Sequence, residues 1–285
     1  MKPPRFDYSR PRTLGRAAEL LAASEGEGKL LAGGQSLMPL LNMRLAEPTV
    51  LIDLELVEEL REVRRDGDVL AIGAGVRQRV AERSPLVREC CPLVPQALKH
   101  VGHVQIRNRG TFGGSIAHAD ATAELPAVAL ALDAELVATS VRGTRTIAAR
   151  DFFLGPYSTT LEEDEVLTEV RLPILADART AFLEVARRNG DFALAGLAAA
   201  VRFAPGTATV VEARLAAVGF GGAPVRLTAA EASLANRELG AGAIDAAASE
   251  ARVELRAGGT ATEESQYRSD LVATLVRRAL VEVGP

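Results

Sequence analysis

Thr111-Phe112-Gly113-Gly114-Ser115, read with its earlier echo Ala32-Gly33-Gly34-Gln35-Ser36, decides how this chain is understood. Both are Gly-Gly turns that end in a hydroxyl residue. A glycine has no Cβ, so it reaches positive φ and lets an anion approach the main chain closely; consecutive N–H groups in such a turn form an anion-binding concavity. The spacing predicts two loops that lay bare their amides against one diphosphate. Neither copy fits Gly-x-Gly-x-x-Gly with a downstream acid, and no Gly-Lys-Ser/Thr is present, which disfavours a Rossmann fold and excludes a P-loop.

Outward from these loops, Thr13 to Ala23 reads as an amphipathic helix capped by Thr13. Lys29 to Ala32 is a short buried strand, and Leu37 to Arg44 a helix begun at Ser36, its free amides aimed at whatever the loop holds. Val50 to Leu54 is a second buried strand, closing a small βαβ-like lobe near residue 56. Asp66-Gly67 sits between two strand-like runs, a hairpin signature. Gln78 to Arg83 and Pro85 to His100 read as helical pieces, as does Ala123 to Leu132. Ala134 to Ser140 and Thr144 to Ala148 then pair as strands, and Phe152-Phe153 and Pro156 lead out of the lobe. From about residue 178 the pattern becomes a meander of Ala- and Val-rich strands over 181–187, 195–203 and 208–218. Helices follow over 228–235, 241–255 and 265–283. Strands followed by helices predict an α+β unit with helices packed on an antiparallel sheet.

The 285 residues suffice for two or three compact units. A formal charge of -4 argues against a nucleic-acid binder. No apolar run is long enough to span a membrane, and residues 1–12 lack a leader pattern, so the expectation is a cytoplasmic chain. The two cysteines, Cys90 and Cys91, are adjacent and cannot form a spaced ligand set, so no metal centre is expected.

Ala32-Gly33-Gly34-Gln35-Ser36-Leu37-Met38-Pro39, Ile106-Arg107-Asn108-x-Gly110-Thr111-x-Gly113-Gly114-Ser115 and Glu124-Leu125-Pro126-Ala127, in that order, resemble the FAD-binding medium subunit of molybdenum hydroxylases. The resemblance runs nearly end to end. It implies an α+β fold: a two-lobed FAD-binding domain of the vanillyl-alcohol-oxidase (PCMH) type over residues 1–56 and 57–177, then a C-terminal α+β domain over 178–285.

The same resemblance implies that Lys29, Leu30, Leu31, Ala32, Gly33, Gly34, Gln35 and Ser36, with Thr111, Gly113, Gly114 and Ser115, hold the FAD pyrophosphate and ribityl. Val101 would lie beside the flavin, and His118 and Glu124 near the sugar alcohol and adenosine side. Arg187-Arg188-x-Gly190-Asp191-Phe192 resembles the segment whose aromatic covers the isoalloxazine; Phe192 replaces the usual Tyr and keeps stacking without the hydroxyl. Taken without the resemblance, His118 also fits a satisfied buried histidine, Arg187 a solvated strand-end charge, Phe192 a core aromatic and Glu124 an acid at a helix N-terminus.

The implied function is electron transfer. A large molybdopterin subunit would hydroxylate substrate, a small subunit with two [2Fe-2S] clusters would relay electrons, and FAD in this chain would pass them to an external acceptor. No residue here resembles a substrate base, so no catalytic side chain is assigned. A self-contained FAD oxidase or dehydrogenase, which would turn over an organic donor alone, is one rival. A non-enzymatic nucleotide-binding module, tight for adenine nucleotides and redox-inactive, is the other.

Overall fold

The structure is a computed structural model that describes residues 2–220, 222–257 and 262–284. Its N-terminal lobe comprises β1 (Asp7–Ser9), α1 (Leu14–Ala22), β2 (Gly28–Leu31), α2 (Leu37–Met43) and β3 (Val50–Asp53). The strands are parallel in the order β1-β3-β2. The Thr13 hydroxyl caps α1 by accepting the Arg16 N–H at 3.2 Å, and Ala17, Ala18 and Leu21 are its buried stripe. Central β3 buries three of its four residues, whereas β2 is an edge strand whose outer backbone side faces away from the sheet. β1 is absent from the sequence reading because Asp7-Tyr8-Ser9 is largely exposed and carries no apolar pattern.

The second lobe contains β4 (Val63–Asp66), β5 (Val69–Gly73), α3 (Gln78–Arg83), α4 (Pro85–Cys90), α5 (Leu93–Leu98), α6 (Val104–Arg109), α7 (Phe112–His118), α8 (Glu124–Ala131), β6 (Glu135–Ser140), β7 (Gly143–Ala148), β8 (Phe153–Gly155), β9 (Ser158–Thr159) and β10 (Val166–Pro173). Both expected hairpins form, but their bends fall one residue from the glycine dipeptides: Asp66 pairs with Val69, leaving Gly67-Asp68 as the bend, and Ser140 pairs with Gly143, leaving Val141-Arg142. The chain does not leave the lobe at Pro156, however. It returns as β10, the middle strand of the antiparallel sheet β4-β5-β10-β6-β7. Local patterning missed β10 because its partners, β5 and β6, lie far away in sequence. Val166 of β10 also joins the small core formed by Ala17, Leu21 and Ile52, fastening the two lobes together.

The C-terminal part is an antiparallel sheet of β11 (Arg179–Ala186), β12 (Ala193–Phe203), β13 (Val210–Val218) and β14 (Val225–Arg226), followed by α9 (Thr228–Leu234), α10 (Ala241–Ala257) and α11 (Glu263–Glu282). Its two faces enter different cores. Ala195, Leu197, Ala199, Val201, Leu215 and Ala217 pack with residues of α9, α10 and α11. Phe182, Ala198, Ala200, Ala216 and Val218 instead belong to the core that contains α5 and α8. A sheet covered on both sides by close-packed helices favours small side chains, which is why these strands are rich in alanine. α8 is buried at all eight positions, because it lies between this sheet and the second lobe.

Candidate functional site

At the end of edge strand β2 the chain turns through Ala32–Ser36 into α2. Gly34 has φ +71, and a Cβ there would press on Leu31 and Met38 at 3.2 and 3.3 Å. Among the described residues, the N–H groups of Gly33, Gly34, Gln35 and Ser36 donate to no protein acceptor. Ser36 itself is helical (φ -103, ψ -45) and makes no side-chain cap, unlike the start expected from its residue type. These free donors border a cleft of about 600 Å³, walled by Leu31, Met38, Asp53, Glu55, Ile106 and Arg109 among others. Unpaired backbone donors need water or a ligand to accept from them, and four in a row leave this loop able to receive an acceptor-rich group.

The second glycine pair differs from the open turn expected. Gly113 and Gly114 lie in the first turn of α7, and the amides around them are engaged within the chain. Phe112 N–H donates to Val76 O at 2.8 Å, Gly113 N–H to Ala74 O at 2.9 Å, and Ser115 N–H to Thr111 O at 3.2 Å. The Thr111 hydroxyl, as N-cap, takes the Gly114 N–H at 3.0 Å. A Cβ on Gly113 would stand 2.6 Å from Ala74 Cα, and one on Gly114 would stand 2.5 Å from Thr111 Oγ1. These glycines thus serve packing and capping. The sequence could not separate the two uses, since both demand a missing Cβ.

The two loops nevertheless meet. A Cβ on Gly33 would lie 2.5 Å from Arg109 O and 2.7 Å from Gly110 Cα, and one on Gly114 would lie 3.6 Å from the Ala32 methyl. Gln78 N–H holds Gly110 O at 2.8 Å, bracing this contact from α3. One loop supplies free donors and the other the wall against which they are set.

Around this junction the remaining residues fall into two groups. Half-buried His118 at the end of α7 feels the charge of exposed Lys29 on β2. Burial, helped by Lys29 and opposed by Asp120, lowers the His118 pKa and keeps the imidazole neutral at neutral pH. Its ring centre lies 4.9 Å from that of Tyr157. In the second group, Glu124 is 9% exposed in the first turn of α8, and burial pushes its carboxyl up to about 7 despite its own N–H and Arg107. Glu184 on β11, near enough to feel Glu124, is pushed up to about 8 by burial and by that charge.

Val101 is partly buried against the main core, and the turn it begins is fixed by Arg107. The buried guanidinium donates to Val101 O at 2.8 Å and Gly102 O at 3.1 Å, and pairs with Glu82 at 3.0 Å. Arg187 and Phe192 sit exposed in the β11–β12 connection, Phe192 to 78%. That connection folds onto the same turn: Gly190, at φ +83, would meet the His103 ring at 2.8 Å if it carried a Cβ. Phe192 is therefore not a core aromatic, and its segment stands next to Val101. Arg107, Asp120, Tyr157 and Glu184 are the residues of this neighbourhood that the sequence left unassigned. Arg107 and Asp120 lay inside or beside the quoted motifs, while Tyr157 and Glu184 carried no local signal.

Among the described residues no group of three or more His, Cys, Asp or Glu side chains could hold a metal ion, and no helix is long and apolar enough to cross a membrane.

Residues 4–175 match the family model described as the FAD binding domain in molybdopterin dehydrogenase, and residues 180–283 match the CO dehydrogenase flavoprotein C-terminal domain. The nicotine 6-hydroxylase medium subunit of Paenarthrobacter nicotinovorans is 39% identical over 284 residues, covering 100% of this chain and 99% of the relative. Caffeine dehydrogenase subunit beta of Pseudomonas sp. (strain CBB1) is 38% identical over 100% of this chain and 96% of its own length. A chain in the solved carbon monoxide dehydrogenase of Hydrogenophaga pseudoflava superposes with a TM-score of 0.94 at 38% identity, over 99% of this chain and 98% of that one.

Proposed function

Because the chain belongs to the family of FAD-binding medium subunits of molybdenum hydroxylases, we propose that it is the electron-exit subunit of such a complex, fed by a small [2Fe-2S] subunit and a large molybdopterin subunit. Its cofactor is FAD, and it works as part of an oxidoreductase. FAD, when bound, supplies the redox chemistry that exchanges electrons with the iron–sulfur relay and with an external acceptor. The protein supplies grip, orientation and exclusion of water.

The observation that carries this reading is the row of acceptor-less N–H groups from Gly33 to Ser36, set directly against Arg109-Gly110. In this reading those four donors hold the pyrophosphate. Lys29, Leu30, Leu31 and Ala32 line the approach along β2. Thr111, Gly113, Gly114 and Ser115 act chiefly by holding α7 in place, since their amides are internally engaged. Neutral His118 and Glu124 offer polar contacts to the cofactor's sugar alcohol and ribose, while Val101 and the Arg187–Phe192 segment flank the isoalloxazine. Burial raises the Glu124 pKa and so favours its neutral acid, which both donates and accepts hydrogen bonds, as a hydroxyl-rich ligand requires.

The test is an FAD titration of the full chain, alone and co-purified with its partner subunits, followed in the visible flavin bands. Binding is expected, with Gly34→Val weakening it at least about tenfold by closing the approach to the amides. Absence of binding in both forms contradicts the reading, and turnover of an organic donor by the lone chain contradicts the electron-exit role.

A further inference from the structure

The hairpin β8–β9 places Gly155 opposite Ser158, so Pro156 and Tyr157 form its two-residue bend. Tyr157 has φ +58. After a proline at the second turn position, positive φ at the third is normally taken by glycine or asparagine. For a side chain as bulky as tyrosine it is an outlier, and strained positions of this kind cluster at active sites and ligand clamps.

Core packing does not account for this ring. It is 65% exposed and joins none of the hydrophobic clusters. Yet it is firmly held. Its N–H donates to Ala119 O at 2.8 Å, its hydroxyl to Asp120 Oδ2 at 3.3 Å, and its ring leans on His118 at 41°. Asp120 is anchored in turn, its Oδ1 accepting from Thr122 N–H at 2.8 Å and Thr122 hydroxyl at 2.7 Å.

The place of the ring follows from the course of α7 beside edge strand β2. Near its start, α7 approaches Ala32 through Gly114; at its end, His118 senses Lys29. Tyr157, leaning on His118, therefore stands by the end of α7 opposite to the one that meets the loop of free amides.

We propose that Tyr157 is a cofactor-binding residue that stacks one heteroaromatic ring of the bound dinucleotide beside the end of α7. The proposal rests on the FAD reading above. Adenine and isoalloxazine share the required chemistry, a flat π-face, and base–aromatic stacking of this kind corresponds to roughly five- to hundredfold in affinity.

The experiment titrates the full chain with FAD, ADP and FMN separately, for wild type, Tyr157→Gly and Tyr157→Phe, and records the thermal midpoint of each ligand-free protein. Glycine suits the left-handed bend, so Tyr157→Gly is expected to remain folded with a cooperative melt while binding FAD at least about tenfold more weakly. Tyr157→Phe keeps the ring and should bind within about threefold of wild type. A matching loss for ADP assigns the adenine, and a matching loss for FMN assigns the isoalloxazine. Wild-type affinity for FAD in Tyr157→Gly overturns the proposal alone, as does a loss in Tyr157→Phe as large as in Tyr157→Gly. A wild-type chain that binds no FAD overturns the cofactor reading beneath it.

Discussion

Glu184 carries a buried carboxyl oxygen, Oε2, without a hydrogen-bond partner among the described residues, on the face of β11 that looks toward α8 and Glu124. Both acids have folded-state pKa values raised above the ordinary 4.5, to about 8 for Glu184 and about 7 for Glu124. The native state therefore binds more protons than the unfolded chain between these values. By linkage, the stabilisation is full below about pH 4.5 and is lost as pH rises through 7 and 8. Thermal melts of the ligand-free chain should accordingly show a midpoint that falls from pH 5 to pH 8.5. Glu184→Gln should flatten that slope, since it keeps the shape of the side chain and removes one titration. An unchanged slope in the variant would locate the proton uptake elsewhere.

At the scale of elements, α7 is the piece on which the two loops depend. It is only seven residues long, so its capping hydroxyl matters more than it would in a long helix. Thr111→Ala removes the acceptor of the Gly114 N–H and should cost about 1 kcal/mol in denaturant unfolding, with Thr111→Ser restoring most of it. Gly113→Ala adds a methyl against the backbone of Ala74 and should cost about 1–3 kcal/mol by overpacking. Both variants should weaken FAD binding through displacement of α7. A Gly113→Ala protein with wild-type stability would show that the contact with Ala74 gives way freely.

Across the whole molecule, the sheet β11-β12-β13-β14 divides its side chains between two cores, and α8 belongs to the seam between them. Shared burial of this kind couples the FAD-binding lobes to the C-terminal sheet. Calorimetry of the ligand-free chain should give one cooperative transition, not two. Ala198→Leu, on the face turned to α8, should lower stability by about 1–3 kcal/mol without splitting the transition. Two resolved transitions in the wild type would mean that the seam is too weak to couple the units.

Much of this was legible in the chain itself. Residue pattern alone placed α1 with its Thr13 cap, the β4–β5 hairpin to within one residue of its bend, the alanine-rich meander and the three closing helices, because each is set by local periodicity and turn chemistry. Motif order, through its resemblance, carried the family and the flavin. What the linear order withheld was long-range. β10 enters its sheet between strands distant in sequence, Tyr157 comes against His118 and Glu184 near Glu124 from separate elements, and the amides around the second Gly-Gly pair are engaged within the chain where those of the first are free. Missing Cβ atoms read alike in a sequence whether they admit a ligand or a neighbouring backbone. Only the packing of α7 against Ala74 and Val76 shows which amides are already taken up within the chain.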